Sequence, residues 1–125
     1  MTILNVDDDT EDQEFFTEAI GLIDPLITCI KANDGLEGYE LLFNNEKDLS
    51  IDYIFLDINM PKMNGIELLS LIKKNDRLKN TPVYVLSTSC SQREKAEVDL
   101  LGAILLEKQT RFEMTIKMLS SIIKP

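Results

Sequence analysis

The 125-residue chain contains no histidine, and this absence restricts the chemistry that it can carry out. Without imidazole, the chain can use neither a histidine base nor a histidine-rich zinc site. Its two cysteines, Cys29 and Cys90, do not form a Cys-x-x-Cys pair, and we expect both to be small buried apolar residues. The chemistry of the chain must therefore run on carboxylates, hydroxyls, lysines and hard cations.

Positive charge and long apolar runs are also scarce. The chain has 13 lysines and arginines but 22 aspartates and glutamates. The resulting formal net charge of −9 argues against nucleic-acid binding. No apolar run approaches the roughly 20 residues that span a bilayer, and no signal peptide is evident. These features predict a cytoplasmic protein that does not associate with a membrane. The length predicts a single domain over residues 1–125.

Five short apolar segments alternate with five amphipathic segments along the chain. The apolar segments are typical of strands buried on both faces, and the amphipathic segments show helical spacing. This alternation predicts an α/β fold in which helices cover both faces of a parallel sheet. The predicted strands are Thr2–Val6, Leu26–Lys31, Tyr53–Leu56, Val83–Leu86 and Ala103–Leu106. The predicted helices run from Thr10 to Ile23, from Asp34 to about Asn44, from Gly65 to about Lys74, from Ser91 to Gly102, and from Thr110 onward.

Hydroxyl residues three positions before a glutamate or glutamine mark the starts of three of these helices. They predict capping boxes, in which each side chain bonds the backbone N–H beside the other. The three pairs are Thr10 with Gln13, Ser91 with Glu94, and Thr110 with Glu113. Asp9 is an alternative cap for the first helix, and the polar segment between residues 44 and 52 predicts a surface loop.

Acidic residues follow two of the predicted strands: Asp7, Asp8 and Asp9 follow the first, and Asp57 follows the third. An isolated aspartate at a strand end is most often a turn-opening or capping residue. A doubly wound five-stranded sheet in the order 2-1-3-4-5, however, places strands one and three side by side. The acidic cluster and Asp57 would then face each other at one edge of the sheet.

Clustered carboxylates repel one another unless a cation joins them, and oxygen ligands without histidine or cysteine favour Mg²⁺. A carboxylate beside the metal is also a competent nucleophile toward phosphorus, giving an aspartyl phosphate. Ser87 and Lys108 follow strands four and five, so that a hydroxyl and an ammonium are expected at the same edge. Each is weak evidence alone, because a serine at a strand end is usually a turn residue and an isolated lysine such as Lys108 is usually a solvated charge.

The chain resembles the receiver domains of bacterial two-component response regulators over essentially its whole length. The most specific matching motif is Leu56-Asp57-x-x-Met60-Pro61-x-Met63-Asn64-Gly65. The other matching motifs are Val6-Asp7-Asp8-Asp9, Pro82-Val83-x-Val85-Leu86-Ser87-Thr88-Ser89, Gly102-Ala103 and Lys108. The resemblance implies a flavodoxin-like (βα)5 three-layer sandwich that acts as a phosphoacceptor and catalyses only its own phosphoryl transfer and dephosphorylation.

The resemblance also implies a role for each matching residue. Asp57 accepts a phosphoryl group from a phosphohistidine on a sensor histidine kinase or histidine phosphotransfer protein, and it also contacts Mg²⁺. The remaining roles are direct Mg²⁺ binding by Asp8, binding through water by Asp7, a backbone carbonyl ligand from Asn59, a phosphate contact from Ser87, and an ion pair to the phosphoryl group from Lys108.

Nothing follows the fifth predicted helix, so we expect a stand-alone regulator without an output domain, similar to the chemotaxis regulators. Such a monomer or weak homodimer would signal by binding a downstream protein target through its fourth helix, fifth strand and fifth helix. The loop before strand three and the Leu86-Ser87-Thr88-Ser89 run resemble the phytochrome-associated subfamily.

The chain departs from the family pattern around strand five. Gln109 stands where the family has a proline after its lysine in a cis bond. A cis bond before a non-proline residue costs about 3–4 kcal/mol, so a trans path that carries Lys108 differently is open, and the sequence does not decide between cis and trans. Leu105 or Leu106 stands where the family has an aromatic switch residue, and Leu105 is the candidate second switch position. The segment from Gly102 to Lys108 is one residue short, which leaves this alignment uncertain by one position.

Two other functions remain open from the sequence. One is a receiver-like protein-binding module that is not phosphorylated, which the unusual end of strand five leaves open. The other is a Mg²⁺-dependent phosphohydrolase of the haloacid dehalogenase type, with Asp7 as nucleophile. The second alternative leaves the motif that begins at Asp57 without a role.

Overall fold

A computed structural model of the chain describes residues 1–44, 50–60 and 62–124. Strands and helices alternate throughout the described residues, as the sequence predicts. The strands are β1 (Thr2–Val6), β2 (Thr28–Ala32), β3 (Tyr53–Asp57), β4 (Val83–Ser87) and β5 (Ile104–Glu107). The helices are α1 (Thr10–Ile23), α2 (Gly35–Phe43), α3 (Gly65–Lys74), α4 (Gln92–Leu100) and α5 (Phe112–Ile122).

The strands form one parallel sheet in the order β2-β1-β3-β4-β5, which confirms the predicted fold class. In this register Val6 lies opposite Leu56, and Asp57 lies opposite Leu86. The carboxyl ends of β1 and β3 are therefore neighbours. Chain segments leaving these two strands must pass over the same edge, where parallel α/β sheets bind their ligands.

Successive strand residues point to opposite faces, and each face has its own core. On one face, Leu4, Ile54 and Leu56 pack with residues of α2, α3 and α4, including Leu68 and Val98. The other face has a second core beneath α1 and α5, formed by Ile3, Phe16, Ala19, Ile20, Phe55, Leu86, Leu119 and Ile123. The central strands are buried on both sides, which explains why β1 and β3 read as continuous apolar runs.

The helix starts agree with the sequence in part. Ser91 forms the predicted capping box with Glu94. The box between Thr10 and Gln13 is wrong, because Asp9 caps α1 and the Gln13 amide is buried, where it donates to the Ala32 carbonyl. The box predicted at Thr110 is also wrong. Helix α5 begins at Phe112, one residue later than a cap at Thr110 would require, and no side chain caps it.

The predicted second strand begins too early. The Leu26 N–H donates to the Asp24 side chain and the Ile27 N–H donates to the Asp24 carbonyl, so that a turn occupies the start of the predicted strand. The loop predicted between residues 44 and 52 lies partly outside the described residues. Within the residues that the structure describes, none of the helices is long and apolar enough to cross a membrane.

Candidate functional site

Carboxylates from the ends of β1 and β3 meet at the edge of the sheet. One side-chain oxygen from each of Asp7, Asp8 and Asp57 lies within 4.8 Å of the other two. Asp7 and Asp57 are buried, with 3% and 6% of their surface exposed, whereas Asp8 is exposed. Asp9 has a different role, because its Oδ1 accepts the Glu11 N–H as the cap of α1.

Lys108 provides a cation for this acidic cluster. Its Nζ lies 3.2 Å from Asp7 Oδ2, 2.9 Å from Asp12 Oδ2 and 3.4 Å from Asp57 Oδ1. The lysine side chain is only 16% exposed and both Asp7 and Asp57 are buried, so these two pairs are poorly screened by water, whereas Asp12 is 46% exposed. The Lys108 N–H also donates to the Ser87 carbonyl at 2.9 Å, which extends the contact between β4 and β5 beyond the last strand residue.

The same arrangement changes the ionisation of the site. Burial and the charge of Asp7 raise the pKa of Asp57 to about 7, although Lys108 opposes this change. Burial also raises the pKa of Asp7, against the N–H of Asp9 and the ammonium of Lys108. For Lys108, burial opposes the charged form, but the carboxylates of Asp12, Asp7 and Asp57 together raise its pKa. Even with Lys108 in place, burial therefore disfavours the ionised form of Asp7 and Asp57, and the charge of Asp7 adds to this at Asp57.

The loop after β3 is held close to Asp57. The Ile58 N–H donates to the Leu86 carbonyl at 3.0 Å, and the Gly65 N–H donates to the Ile58 carbonyl at 3.2 Å. A side chain at position 65 would collide with the Asp57 carbonyl, which requires glycine there. Both hydrogen bonds fix the backbone at Ile58, between Asp57 and Asn59.

A pocket opens above Asp57 at the edge of the sheet. Asp57, Asn59 and Lys108 all line it. Its described lining residues are Asp8, Asp9, Thr10, Asp12, Asp57, Asn59, Thr88 and Lys108. Thr88 and Asp12 were not among the residues that the sequence singled out. Asp12 could have been found from its place about one helical turn beyond the acidic cluster, whereas Thr88 has the same kind of hydroxyl as Ser87 and no sequence signal of its own.

Ser87 ends β4 beside Asp57 but does not line this pocket. Its buried hydroxyl donates to Glu94 Oε1 at 2.8 Å and accepts the N–H groups of Ser89 and Cys90, each at 3.2 Å. Ser89 and the Ser91 N–H contact the same glutamate oxygen, at 2.8 and 3.1 Å. The sequence marked Glu94 as a helix cap and gave no sign of its bond to Ser87.

The structure settles how strand five aligns with strand four. Leu105 lies opposite Val85 and packs on the face of α4, whereas Leu106 lies opposite Leu86 and packs on the face of α1 and α5. All described peptide bonds are trans, including the one after Lys108. The shortened segment thus still carries Lys108 to the acidic cluster.

The chain matches the response regulator receiver domain over residues 3–119, and it belongs to that family. Among curated proteins it is similar to the sensor histidine kinase CheAY of Helicobacter pylori, with 33% identity over 74% of this chain and 11% of the relative. It is 35% identical to the transcriptional regulatory protein CpxR of Escherichia coli K12 over 81% of this chain and 39% of CpxR. The chain spans less than two thirds of the length of these relatives.

Solved structures of stand-alone regulators have the same fold. The phosphorylated cyanobacterial phytochrome response regulator RcpA is 28% identical with a TM-score of 0.87, over 97% of this chain and 89% of RcpA. The Mn²⁺-bound form of response regulator Rcp1 is 30% identical with a TM-score of 0.86, over 97% and 90% of the two chains. The chemotaxis response regulator CheY4 of Vibrio cholerae is 28% identical with a TM-score of 0.81, over 98% of each chain.

Proposed function

We propose that this receiver domain is a phosphoacceptor in a two-component phosphorelay and that Asp57 is the residue phosphorylated. The observation that carries the proposal is the convergence of Asp7, Asp8 and Asp57 beside Lys108 at the open edge of the sheet. Asp57 lies in the pocket with a carboxylate oxygen 3.4 Å from the Lys108 ammonium. The phosphorylated relative RcpA adds support from the same fold.

The donor set fits Mg²⁺. Oxygen atoms of three carboxylates lie within 4.8 Å of one another, and burial raises the pKa of both Asp7 and Asp57, with the charge of Asp7 adding to the effect at Asp57. Asp7, Asp8, Asp57 and the backbone carbonyl of Asn59 would hold the ion. Bound Mg²⁺ supplies positive charge that reduces the repulsion between these carboxylates and phosphoryl oxygens.

The chain's own residues then account for the transfer. The Asp57 carboxylate bonds to the phosphorus of a protonated phosphohistidine as the P–N bond breaks, and the electron pair leaves with the neutral imidazole. The product is an acyl phosphate on Asp57. Lys108 pairs with the incoming phosphoryl oxygens and so helps to hold the phosphoryl group in position for the transfer. The domain needs no general base, because an ionised carboxylate is already the nucleophile.

A downstream protein target would bind the surface formed by α4, β5 and α5. Large apolar side chains are exposed on each of these three elements: Leu100 is 87% exposed, Ile104 53% and Met114 43%. The surface adjoins both Ser87 and Lys108, so a change at the site can reach it. A histidine kinase or histidine phosphotransfer protein is the partner that supplies the phosphoryl group.

The test is intact mass after incubation with acetyl phosphate and Mg²⁺. We expect the parent protein to gain one phosphoryl group, and we expect Asp57→Asn or chelation of Mg²⁺ to prevent the gain. Asp34→Asn is the matched control, because it removes the same charge from a helix cap outside the pocket, where asparagine caps equally well. Equal modification of Asp57→Asn and parent would refute Asp57 as acceptor. An unmodified parent would favour a receiver-like binding module that is not phosphorylated.

A further inference from the structure

Ser87 has no free hydrogen-bonding capacity in this structure. A serine hydroxyl has one donor and two acceptor positions. The donor is directed to Glu94 Oε1, and the N–H groups of Ser89 and Cys90 supply donors to the oxygen. To contact a phosphoryl group on Asp57, the Ser87 hydroxyl must therefore give up bonds that it already makes.

The bond to Glu94 is the strongest of these. A hydrogen bond from a hydroxyl to a carboxylate is roughly twice as strong as one between neutral groups. Ser87 is fully buried, so water cannot readily replace the lost partner. Although burial opposes its charge, the bonds from Ser87, Ser89 and the Ser91 N–H lower the pKa of Glu94. Glu94 is thus a fixed anion that competes for the Ser87 hydroxyl.

We infer that Glu94 is a positioning residue that holds the Ser87 hydroxyl out of the phosphoryl pocket and so opposes phosphorylation of Asp57. The inference rests on the proposed function. It also gives phosphorylation a way to reach α4, because one oxygen of Glu94 accepts both the Ser87 hydroxyl and the N–H of the α4 cap, Ser91. When Ser87 turns to the phosphoryl group, the glutamate loses a donor at the start of the helix.

The loop between Ser87 and Ser91 supports this coupling. Cys90 has a positive φ of 45°, a backbone conformation that is unfavourable for a residue other than glycine. Its N–H is bonded to the Ser87 hydroxyl, which helps to maintain the turn. Release of the hydroxyl removes that bond together with the one from Ser89. The loop and the first turn of α4 would therefore rearrange together.

The test compares Glu94→Gln in proteins with and without the Ser87 hydroxyl. With limiting acetyl phosphate and Mg²⁺, we expect Glu94→Gln to raise the steady-state ratio of modified to unmodified protein by about three- to tenfold, because a neutral acceptor holds Ser87 less tightly. In the Ser87→Ala background the same substitution should leave the ratio unchanged. Ser91→Ala is the matched control, since it breaks the other half of the capping box and leaves the Ser87–Glu94 bond in place.

Amide hydrogen exchange of the unmodified protein gives a second readout. The Cys90 N–H should exchange faster in Glu94→Gln, and faster still in Ser87→Ala, which removes its acceptor. The inference is overturned if Glu94→Gln leaves the modified ratio unchanged or lowers it, or if its effect is the same with and without Ser87. A parent protein that takes up no phosphoryl group overturns the proposed function itself, which distinguishes the two failures.

Discussion

The candidate site at the edge of the sheet has two parts, and only one of them already has its side chains in the positions that its proposed role requires. At the ends of β1 and β3, three carboxylates already converge, and Lys108 reaches across from the end of β5 to two of them, Asp7 and Asp57. At the end of β4, Ser87 is directed to Glu94 and does not line the pocket. The proposed acceptor, Asp57, and the Lys108 ammonium are already side by side, whereas the hydroxyl expected to contact a phosphoryl group is directed elsewhere.

This difference separates two tasks of the same edge. Carboxylates that are held together by a lysine can bind a cation and attack phosphorus without rearrangement. A hydroxyl that must change partners can report whether the phosphoryl group is present, since its two positions differ in hydrogen bonding. We therefore expect substitutions at the ends of β1, β3 and β5 to change stability and chemistry, and substitutions around Ser87 to change the response.

Loss of Lys108 should have the largest effect on the unphosphorylated protein. Lys108→Met leaves the buried Asp7 without its ammonium partner, and we expect the free energy of unfolding to fall by about 2–3 kcal/mol. Lys95→Met is the matched control, because Lys95 Nζ lies 2.9 Å from Asp99 Oδ2, the same distance as Lys108 from Asp12, in an exposed pair. It should cost less than about 1 kcal/mol. Equal losses in urea unfolding would contradict the assignment of Lys108 as the counterion of the site.

Asp57, the proposed acceptor, should destabilise the folded protein above its pKa. Burial and Asp7 raise the pKa of Asp57 from its ordinary 3.8 to about 7, so the folded state binds more protons than the unfolded state between these pH values. The free energy of unfolding therefore falls as the pH rises through this window. In chelator-treated protein at pH 8, we expect Asp57→Asn to be more stable than the parent by about 2 kcal/mol.

Urea unfolding at pH 4 and pH 8 separates this effect from a change in packing. The advantage of Asp57→Asn should nearly vanish at pH 4, where most of the parent carboxyl is protonated in the folded state. An advantage of the same size at both pH values would show that the charge of Asp57 is not its cause. Added Mg²⁺ should reduce the advantage at pH 8, because it stabilises the ionised parent site.

Asp8 and Asp9 are adjacent, yet they should respond differently to loss of charge. Asp8 belongs to the carboxylate cluster, whereas Asp9 caps α1. Asp8→Asn should weaken Mg²⁺ binding by about tenfold or more, which corresponds to roughly 1.4 kcal/mol. Asp9→Asn keeps the cap and should change the affinity much less. A calorimetric titration that gave the same affinity for both variants would refute this division of roles.

The smallest expected effect is the chemical-shift change in β5, compared with the change after β4, when a phosphoryl mimic binds. Leu105 and Leu106 have neither a ring nor a hydroxyl that could follow Ser87, so the response should pass through the loop after β4 and through α4. We expect amide chemical shifts on binding of beryllium trifluoride with Mg²⁺ to be concentrated between Thr88 and Leu101. Residues 103–106 should change little. A large response there would identify Leu105 as a second switch position.

Much of the fold could be predicted because the central strands carry their own signal. Tyr53–Asp57 is an apolar run that ends in a carboxylate, and burial on both faces demands such a run. The edge strand β2 was less predictable, since its pattern is half exposed and a turn fixed by Asp24 displaced its start. Capping boxes were equally ambiguous, because Gln13 fits the pattern at α1 but is drawn into the core by the Ala32 carbonyl.

The candidate site shows a similar limit. The sequence places Asp7, Asp57 and Lys108 at strand ends, and the parallel order is enough to bring them together. The rotamer of Ser87 is decided by Glu94, seven residues away, through a contact that neither spacing nor composition encodes. Asp12 likewise reaches Lys108 only because α1 and the end of β5 are adjacent in space.

The raised pKa of Lys108 has a consequence for the lifetime of the proposed acyl phosphate. An aspartyl phosphate is a mixed anhydride, and an unprotonated amine 3.4 Å away would displace phosphate to form an internal amide cross-link. In the acyl phosphate Asp57 is no longer a carboxylate, but the hydrogen bond to Asp12 and the charge of Asp7 still favour the protonated amine, and an ammonium has no lone pair for such an attack. The same carboxylates that bring Lys108 to the acceptor thus protect the domain from irreversible self-acylation.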